Sequence, residues 1–136
     1  MNRRGVLGIC AGIIGIAGCH RPPRCATCGM KIDPQSAWVS YLERDGKDLA
    51  FDTPRCAFSA WRAAHRRDAN ARFREYYSQE MKPADELQFV AGSDIVGPMG
   101  PELVPVAKGA KALQFAVDHN GAPPKAAAEI LREKSP

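Results

Sequence analysis

Apolar positions change their spacing repeatedly along this chain, and each change predicts an element. Val6 to Ala17 is an unbroken apolar run rich in Gly, Ala and Ile. From Ala37 the pattern becomes strand-like: Trp38, Val39, Tyr41 and Leu42 are β-branched, aromatic or apolar. Asp45-Gly46 is a strong hairpin signal, and Leu49, Ala50 and Phe51 form the return strand. Thr53 then offers an N-cap and Pro54 a first helical position. Ala57, Phe58, Trp61 and Ala64 recur at three- and four-residue spacing, which predicts a helix to about Ala69. Phe73, Tyr76 and Tyr77 predict another strand after Asn70.

Lys82-Pro83 breaks the pattern. Leu87, Phe89, Val90 and Ala91 read as a strand, and Leu103 to Ala107 as a second, short one. Between them, Gly92 to Pro101 is rich in Gly and Pro and predicts a shaped loop. Gly109 to His119 reads as a helix with Ala110, Leu113, Ala116 and Val117 as its buried stripe, stopped at Asn120-Gly121. Ala126 to Glu133 is a final short helix. Each half is too small to bury much alone. The expected architecture is α+β, with two small ββαβ-like units, about 25–82 and 83–136, packed together as one body.

Composition changes this picture at the start of the chain. Arg3 and Arg4 precede the apolar run, which is too short for a stable bilayer span and has the layout of an export signal. Ile16-Ala17-Gly18-Cys19 is the arrangement cut by lipoprotein signal peptidase. Residues 1–18 are expected to leave, and Cys19 to become a lipid-modified N-terminus. A signal cut elsewhere, or an uncleaved anchor, is the alternative. Arg3-Arg4 also hints at twin-arginine export. Residues 19–24, with Pro22-Pro23, form a stiff tether. The chain is then placed on the periplasmic side of a bacterial membrane. Its net charge of +4, two units of which belong to Arg3 and Arg4, is too balanced for nucleic acid. Arg62, Arg66, Arg67, Arg72 and Arg74 cluster, either as a solvated face or as a contact for anionic lipid or an acidic partner.

With Cys10 in the signal and Cys19 lipidated, Cys25, Cys28 and Cys56 remain. Three thiols in an exported chain cannot all pair internally, which directs attention to a ligand role. Cys25-Ala26-Thr27-Cys28 has a spacing shared by redox dithiols, half zinc sites and copper sites. A zinc site needs two further ligands, for which Cys56 and His65 or His119 are available, but none shows a second ligand-pair spacing; His20, His65 and His119 are alike weak candidates for an extra ligand. Asp33-Pro34 does not favour the helix that a redox dithiol opens. Cys28-Gly29-Met30 is more discriminating. Gly29 permits a tight turn, and thiolate with thioether suits a soft d10 ion such as Cu(I). A core methionine is the bland alternative for Met30. Met99, in Gly97-Pro98-Met99-Gly100-Pro101, either plugs the core or is presented by a loop held in shape by its prolines. Should the halves pack together, that loop can approach the Cys28-Gly29-Met30 turn.

Taken together, Cys28-Gly29-Met30, Phe51-Asp52 before a helix, Gly92-Ser93-Asp94-Ile95 and Gly97-Pro98-Met99-Gly100 resemble the NosL family, lipoprotein accessory factors of nitrous oxide reductase. The resemblance runs from Cys25 to about Gly121. It implies a monomeric Cu(I)-binding lipoprotein that serves assembly of the reductase copper-sulfide centre. It also implies two related units, a fold similar to part of organomercurial lyase. Cys28, Met30 and Met99 become the implied copper ligands, with Cys25 and Cys56 as possible additions. The implied partners are the reductase and its ABC-type maturation transporter. Ala122-Pro123-Pro124 departs from the family pattern where a strand is expected. The resulting expectation is a copper chaperone and not an enzyme, with a thiol-disulfide lipoprotein using Cys25 and Cys28 as the rival.

Overall fold

Asp45 and Gly46 both hold positive φ, 51° and 74°, the backbone a two-residue hairpin turn requires. They join β1 (Ser40–Arg44) to β2 (Lys47–Phe51) in antiparallel register, with Ser40 opposite Phe51 and Arg44 opposite Lys47. Thr53 caps α1 (Pro54–Ala63) as expected, its hydroxyl accepting from the Cys56 N–H at 3.3 Å. This computed structural model describes residues 21–64 and 70–133. The export signal expected at 1–18, Cys19, His20, His65, Arg66 and Arg67 lie outside the described residues, as does the helix continuation expected to Ala69. Within them, α1 ends at Ala63 and Ala64 forms its C-cap.

Beyond α1, β3 (Ala71–Arg74) pairs with the free side of β1, and β4 (Met81–Pro83) pairs with β3. The four-stranded antiparallel sheet runs β2-β1-β3-β4. Two sequence expectations change here. Lys82-Pro83 does not break the chain but closes this sheet at its edge, where a proline without an N–H costs no ladder bond. Tyr76 and Tyr77 are not strand residues. The chain turns at Glu75, whose buried carboxylate accepts from the Ser78 N–H at 2.6 Å and the Ala107 N–H at 3.3 Å.

A single 3-10 turn at Ala84–Glu86 leads into β5 (Leu87–Val90). The loop that follows contains a minimal hairpin, β6 (Val96–Gly97) and β7 (Gly100–Pro101). Next, β8 (Val104–Ala107) pairs antiparallel with β5, and α2 (Ala110–Asp118) packs against both. Finally α3 (Ala127–Arg132) packs against α1. Strands and helices are thus mixed in an α+β arrangement. Ala122-Pro123-Pro124 still reaches the free edge of β5: the Ala122 N–H donates to the Ala91 carbonyl at 2.8 Å, and Phe89 and Lys125 exchange both backbone bonds. The prolines supply no N–H, so a single bridge replaces the expected strand.

The larger core sits between the four-stranded sheet and α1. Phe58 stacks on Phe73 at 5.2 Å and meets Phe89 edge-on at 4.9 Å. Leu87 and Phe89 of β5 and Ala127 and Ile130 of α3 complete it. A second core gathers Val90, Val104, Val106, Ala112, Phe115 and Ala116. The stripe expected for α2 is therefore corrected. Ala116 is buried, but Leu113 and Val117 are 61% and 75% exposed and Ala110 is exposed. Small Ala112 and Ala116 let the helix lie close to β5 and β8. Phe115 goes inward against the ring of Tyr76 at 5.1 Å.

Three described arginines of the basic cluster are fasteners. Arg62 donates to the Ile130 carbonyl of α3 at 2.8 Å. Arg72 pairs with Asp48 at 2.6 Å, and Arg74 donates to the Pro34 carbonyl at 3.1 Å. No helix among the described residues is long and apolar enough to cross a membrane.

Candidate metal centre

The Cys25–Met30 segment is a knuckle closed by its own backbone. The Cys25 N–H donates to the Met30 carbonyl at 2.8 Å, and the Gly29 N–H to the Cys25 carbonyl at 2.9 Å. Gly29 sits at φ 75°, a conformation that side chains with a Cβ rarely adopt. One bridge, Arg24 opposite Lys31, closes the base. The closure turns Cys25 inward, where its sulfur accepts from the Cys28 N–H at 3.5 Å, and leaves Cys28 exposed. Two bonds dock the knuckle on the body: the Ala26 N–H to the Ala50 carbonyl of β2 at 3.0 Å, and the Thr27 hydroxyl to the Cys56 carbonyl of α1 at 2.8 Å.

That docking faces the junction of β2 and α1, where Asp52 and Cys56 are both buried. One ligand atom from each of Cys25, Cys28, Asp52 and Cys56 lies within 4.8 Å of the others. Two thiolates bound to one d10 ion at about 2.3 Å each stand at most about 4.6 Å apart. That limit belongs to a collinear pair; around a four-coordinate ion the same bonds put the ligands about 3.8 Å apart, so the set would close by up to about 1 Å to share a single ion. The Cys28 thiol donates to Asp52 Oδ2 at 3.4 Å, while buried Asp52 Oδ1 has no hydrogen-bond partner. A buried carboxylate oxygen with no well-aligned donor, and with thiols near it, is one that a cation would satisfy.

The electrostatics set the protonation state that a cation would meet. Burial pushes the Asp52 carboxyl up, but the thiols of Cys25, Cys56 and Cys28 outweigh it and hold the group below its ordinary value. Burial, then Cys25 and Asp52 beside it, push the Cys28 thiol up against the pull of the Met30 backbone. Cys56 is driven up by burial above all, with Asp52 and Cys25 adding to it. Without metal, the protonated thiols of Cys28 and Cys56 thus stand beside an ionised carboxylate. A soft cation would take the place of the thiol protons and release them.

Met30 and Met99 lie at the rim. Met30 is 46% exposed and Met99 55%. Met99 sits at the tip of the β6–β7 hairpin, where Pro98 shares a small hollow with Met30, Ile32 and Asp52. The loop expected to approach the Cys28-Gly29-Met30 turn does so through Pro98. The hairpin is held on both sides. Upstream, the Asp94 N–H donates to the His119 carbonyl at 3.0 Å and the His119 ring meets the Asp94 carboxylate at 2.8 Å. Downstream, Glu102 accepts from the first turn of α1.

Of the residues singled out in the sequence, Cys25, Cys28 and Cys56 converge, with Met30 and the Met99 hairpin beside them. His119 is occupied by Asp94 and is not part of the cluster; His20 and His65 lie outside the described residues. Asp52 was missed as a candidate ligand. Its signal was its place: an acidic residue directly before the helix N-cap, four positions ahead of Cys56 and so on the same side of the strand-to-helix junction.

The family model described as NosL matches residues 19–134, nearly the whole chain. No curated protein and no solved structure matches it. Three sulfurs and a carboxylate gathered at one edge, in a chain matched over that length, identify it as a member of the NosL family, whose role is accessory and copper-related.

Proposed function

We propose that this protein is a Cu(I) chaperone, a lipoprotein tethered through Cys19 to the periplasmic side of a bacterial membrane. It works as a monomer and delivers copper for the copper-sulfide centre of nitrous oxide reductase, with that enzyme and its ABC-type transporter as partners. One observation carries the reading: buried Cys25, Cys56 and Asp52 meet exposed Cys28 within 4.8 Å, with Met30 and Pro98, the neighbour of Met99, lining a hollow that Asp52 also lines.

Copper is cargo here, and the chain performs no catalytic step on it. Cys28, Met30 and Met99 form the open side of the shell, with Cys25 and Cys56 behind them. A soft monovalent ion accepts two or three sulfur ligands, so a partner sulfur or imidazole can add at the open side while one of these ligands leaves. Copper stays Cu(I) throughout, and each thiolate that lets go takes back a proton. The tether keeps the exchange at the membrane surface.

Competition with a Cu(I) chelator tests this. One ion should bind per chain, with affinity lost in Cys28→Ser and weakened in Met99→Ala. Equal affinities for wild type and Cys28→Ser would overturn the reading. The thiol-disulfide rival draws on the contact between the Cys28 N–H and the Cys25 sulfur at 3.5 Å. It predicts a reversible disulfide, indifferent to Met30→Leu and Met99→Leu. A redox titration of those variants alongside the copper titration separates the two.

A further inference from the structure

The β6–β7 hairpin cannot hold its own shape. Each strand has two residues, and their register is only two cross-strand pairs, Val96 with Pro101 and Gly97 with Gly100. Such a hairpin is marginal alone in water, so Met99 at its tip must be held by something else. Glu102 follows immediately after β7. It is 1% exposed, and its Oε1 accepts from the Leu103 N–H at 3.0 Å and from the Arg55 N–H at 2.8 Å. Arg55 is the second residue of α1, between Pro54 and Cys56. The first turn of α1 carries no acidic residue of its own. A carboxylate from the distant loop therefore answers the unpaired N–H groups and positive end of this helix.

Resting on the copper reading above, we propose that Glu102 is the positioning residue for Met99, clamping the methionine hairpin onto the helix turn that carries Cys56. The two ends of the clamp are far apart in sequence and adjacent in space. Glu102 lies three residues beyond Met99, so the clamp limits the methionine to about 10 Å of chain from a fixed point. Released from Arg55, the hairpin would be bounded by Asp94 upstream and β8 downstream, a longer and looser arm. The clamp also accounts for the burial of this carboxylate: its two backbone donors, Leu103 and Arg55, belong to the two parts that must stay in register. Burial pushes the Glu102 carboxyl up, opposed by its bonds to Leu103 and Arg55.

The test compares Glu102→Gln, Glu102→Asp and Glu102→Ala in the full chain held in detergent. Gln keeps an acceptor at the same reach, whereas Asp keeps the charge one methylene short. Expected Cu(I) affinities are near wild type for Gln and about tenfold weaker for Asp and Ala, matching Met99→Leu. In a Met99→Leu background, Glu102→Asp should cost nothing further, because the clamp acts through that thioether. With selenomethionine in the chain, copper–selenium scattering should persist in Glu102→Gln and lose its Met99 share in Glu102→Asp. A full additional loss in the Met99→Leu background, or unchanged scattering in Glu102→Asp, would overturn the clamp. If Glu102→Ala fails to fold, the Asp and Gln pair decides the question. Should wild type itself fail to bind Cu(I), the copper reading falls; should wild type bind and Met99→Leu weaken it while Glu102→Asp does not, only the clamp falls.

Discussion

The two sides of the candidate centre are built in opposite ways. The thiol side is assembled from two short-range pieces and is buried except at Cys28. Cys25 and Cys28 are set by hydrogen bonds inside a six-residue knuckle, and Asp52 and Cys56 by one strand-to-helix junction. The thioether side is long-range and exposed. Met99 rides on a two-residue hairpin whose position depends on Glu102 reaching α1 and Asp94 reaching His119. Affinity and exchange call for different construction. Buried, pre-arranged thiols lose little entropy on closing round an ion, so they favour retention. An exposed methionine on a fastened arm can leave and return, so it favours transfer.

The sharpest way to break this contrast is at Cys28, the one exposed member of the thiol set. Cys28→Ser should lower Cu(I) affinity by about a hundredfold or more, roughly 2.7 kcal/mol, in a chelator competition. A loss no greater than that of Met99→Leu would make the two sides equivalent. Asp52→Asn should come next. Removing the anion should weaken copper binding by about tenfold. It should also lower the Cys28 and Cys56 pKa values, since Asp52 raises both. Alkylation of the metal-free protein at pH 8 should therefore be faster in Asp52→Asn than in wild type; slower alkylation would contradict the electrostatics of the cluster.

Glu75 tests the body that carries both sides. Burial opposes its ionisation, but bonds from Ser78, Tyr77 and Ala107 hold its pKa below the ordinary value of 4.5. A depressed pKa adds stability above the unfolded value, and the addition is lost as pH falls through the folded value. Wild type should exceed Glu75→Gln in urea stability at pH 7 by about 1 kcal/mol, and the margin should shrink below pH 4.5. A margin that grows in acid would reverse the assignment. The smallest effect is expected at His119→Gln, where the backbone bond from Asp94 survives. Copper affinity should fall by about threefold or less. A larger fall would move the main anchor of the hairpin from α1 to α2.

Local chemistry made part of this readable in advance. Asp45-Gly46 and Thr53-Pro54 specify a turn and a helix start through their own backbone preferences, and both stand where expected. Gly29 likewise supplies the positive φ that its tight turn needs. Lys82-Pro83 reads as a break because proline marks one in isolation, whereas at a sheet edge its missing N–H is harmless. Leu113 and Val117 were assigned to the core because periodicity identifies an apolar stripe but not its partner surface. Phe115, with Tyr76 and the β5–β8 pair to receive it, turned the helix away from them.

The sequence by itself determined which sulfur side chains are available and how the knuckle turns, because a Cys-x-x-Cys-Gly-Met run sets its geometry through bonds a few residues long. It also determined membership in the NosL family, a matter of residue identity over 19–134. Only the tertiary structure decided that Asp52 stands among the three thiols and that Glu102 ties the methionine hairpin to α1. Both facts depend on contacts across 24 and 47 residues of chain. A side chain's neighbours at that separation follow from how whole elements pack, and no local preference encodes them.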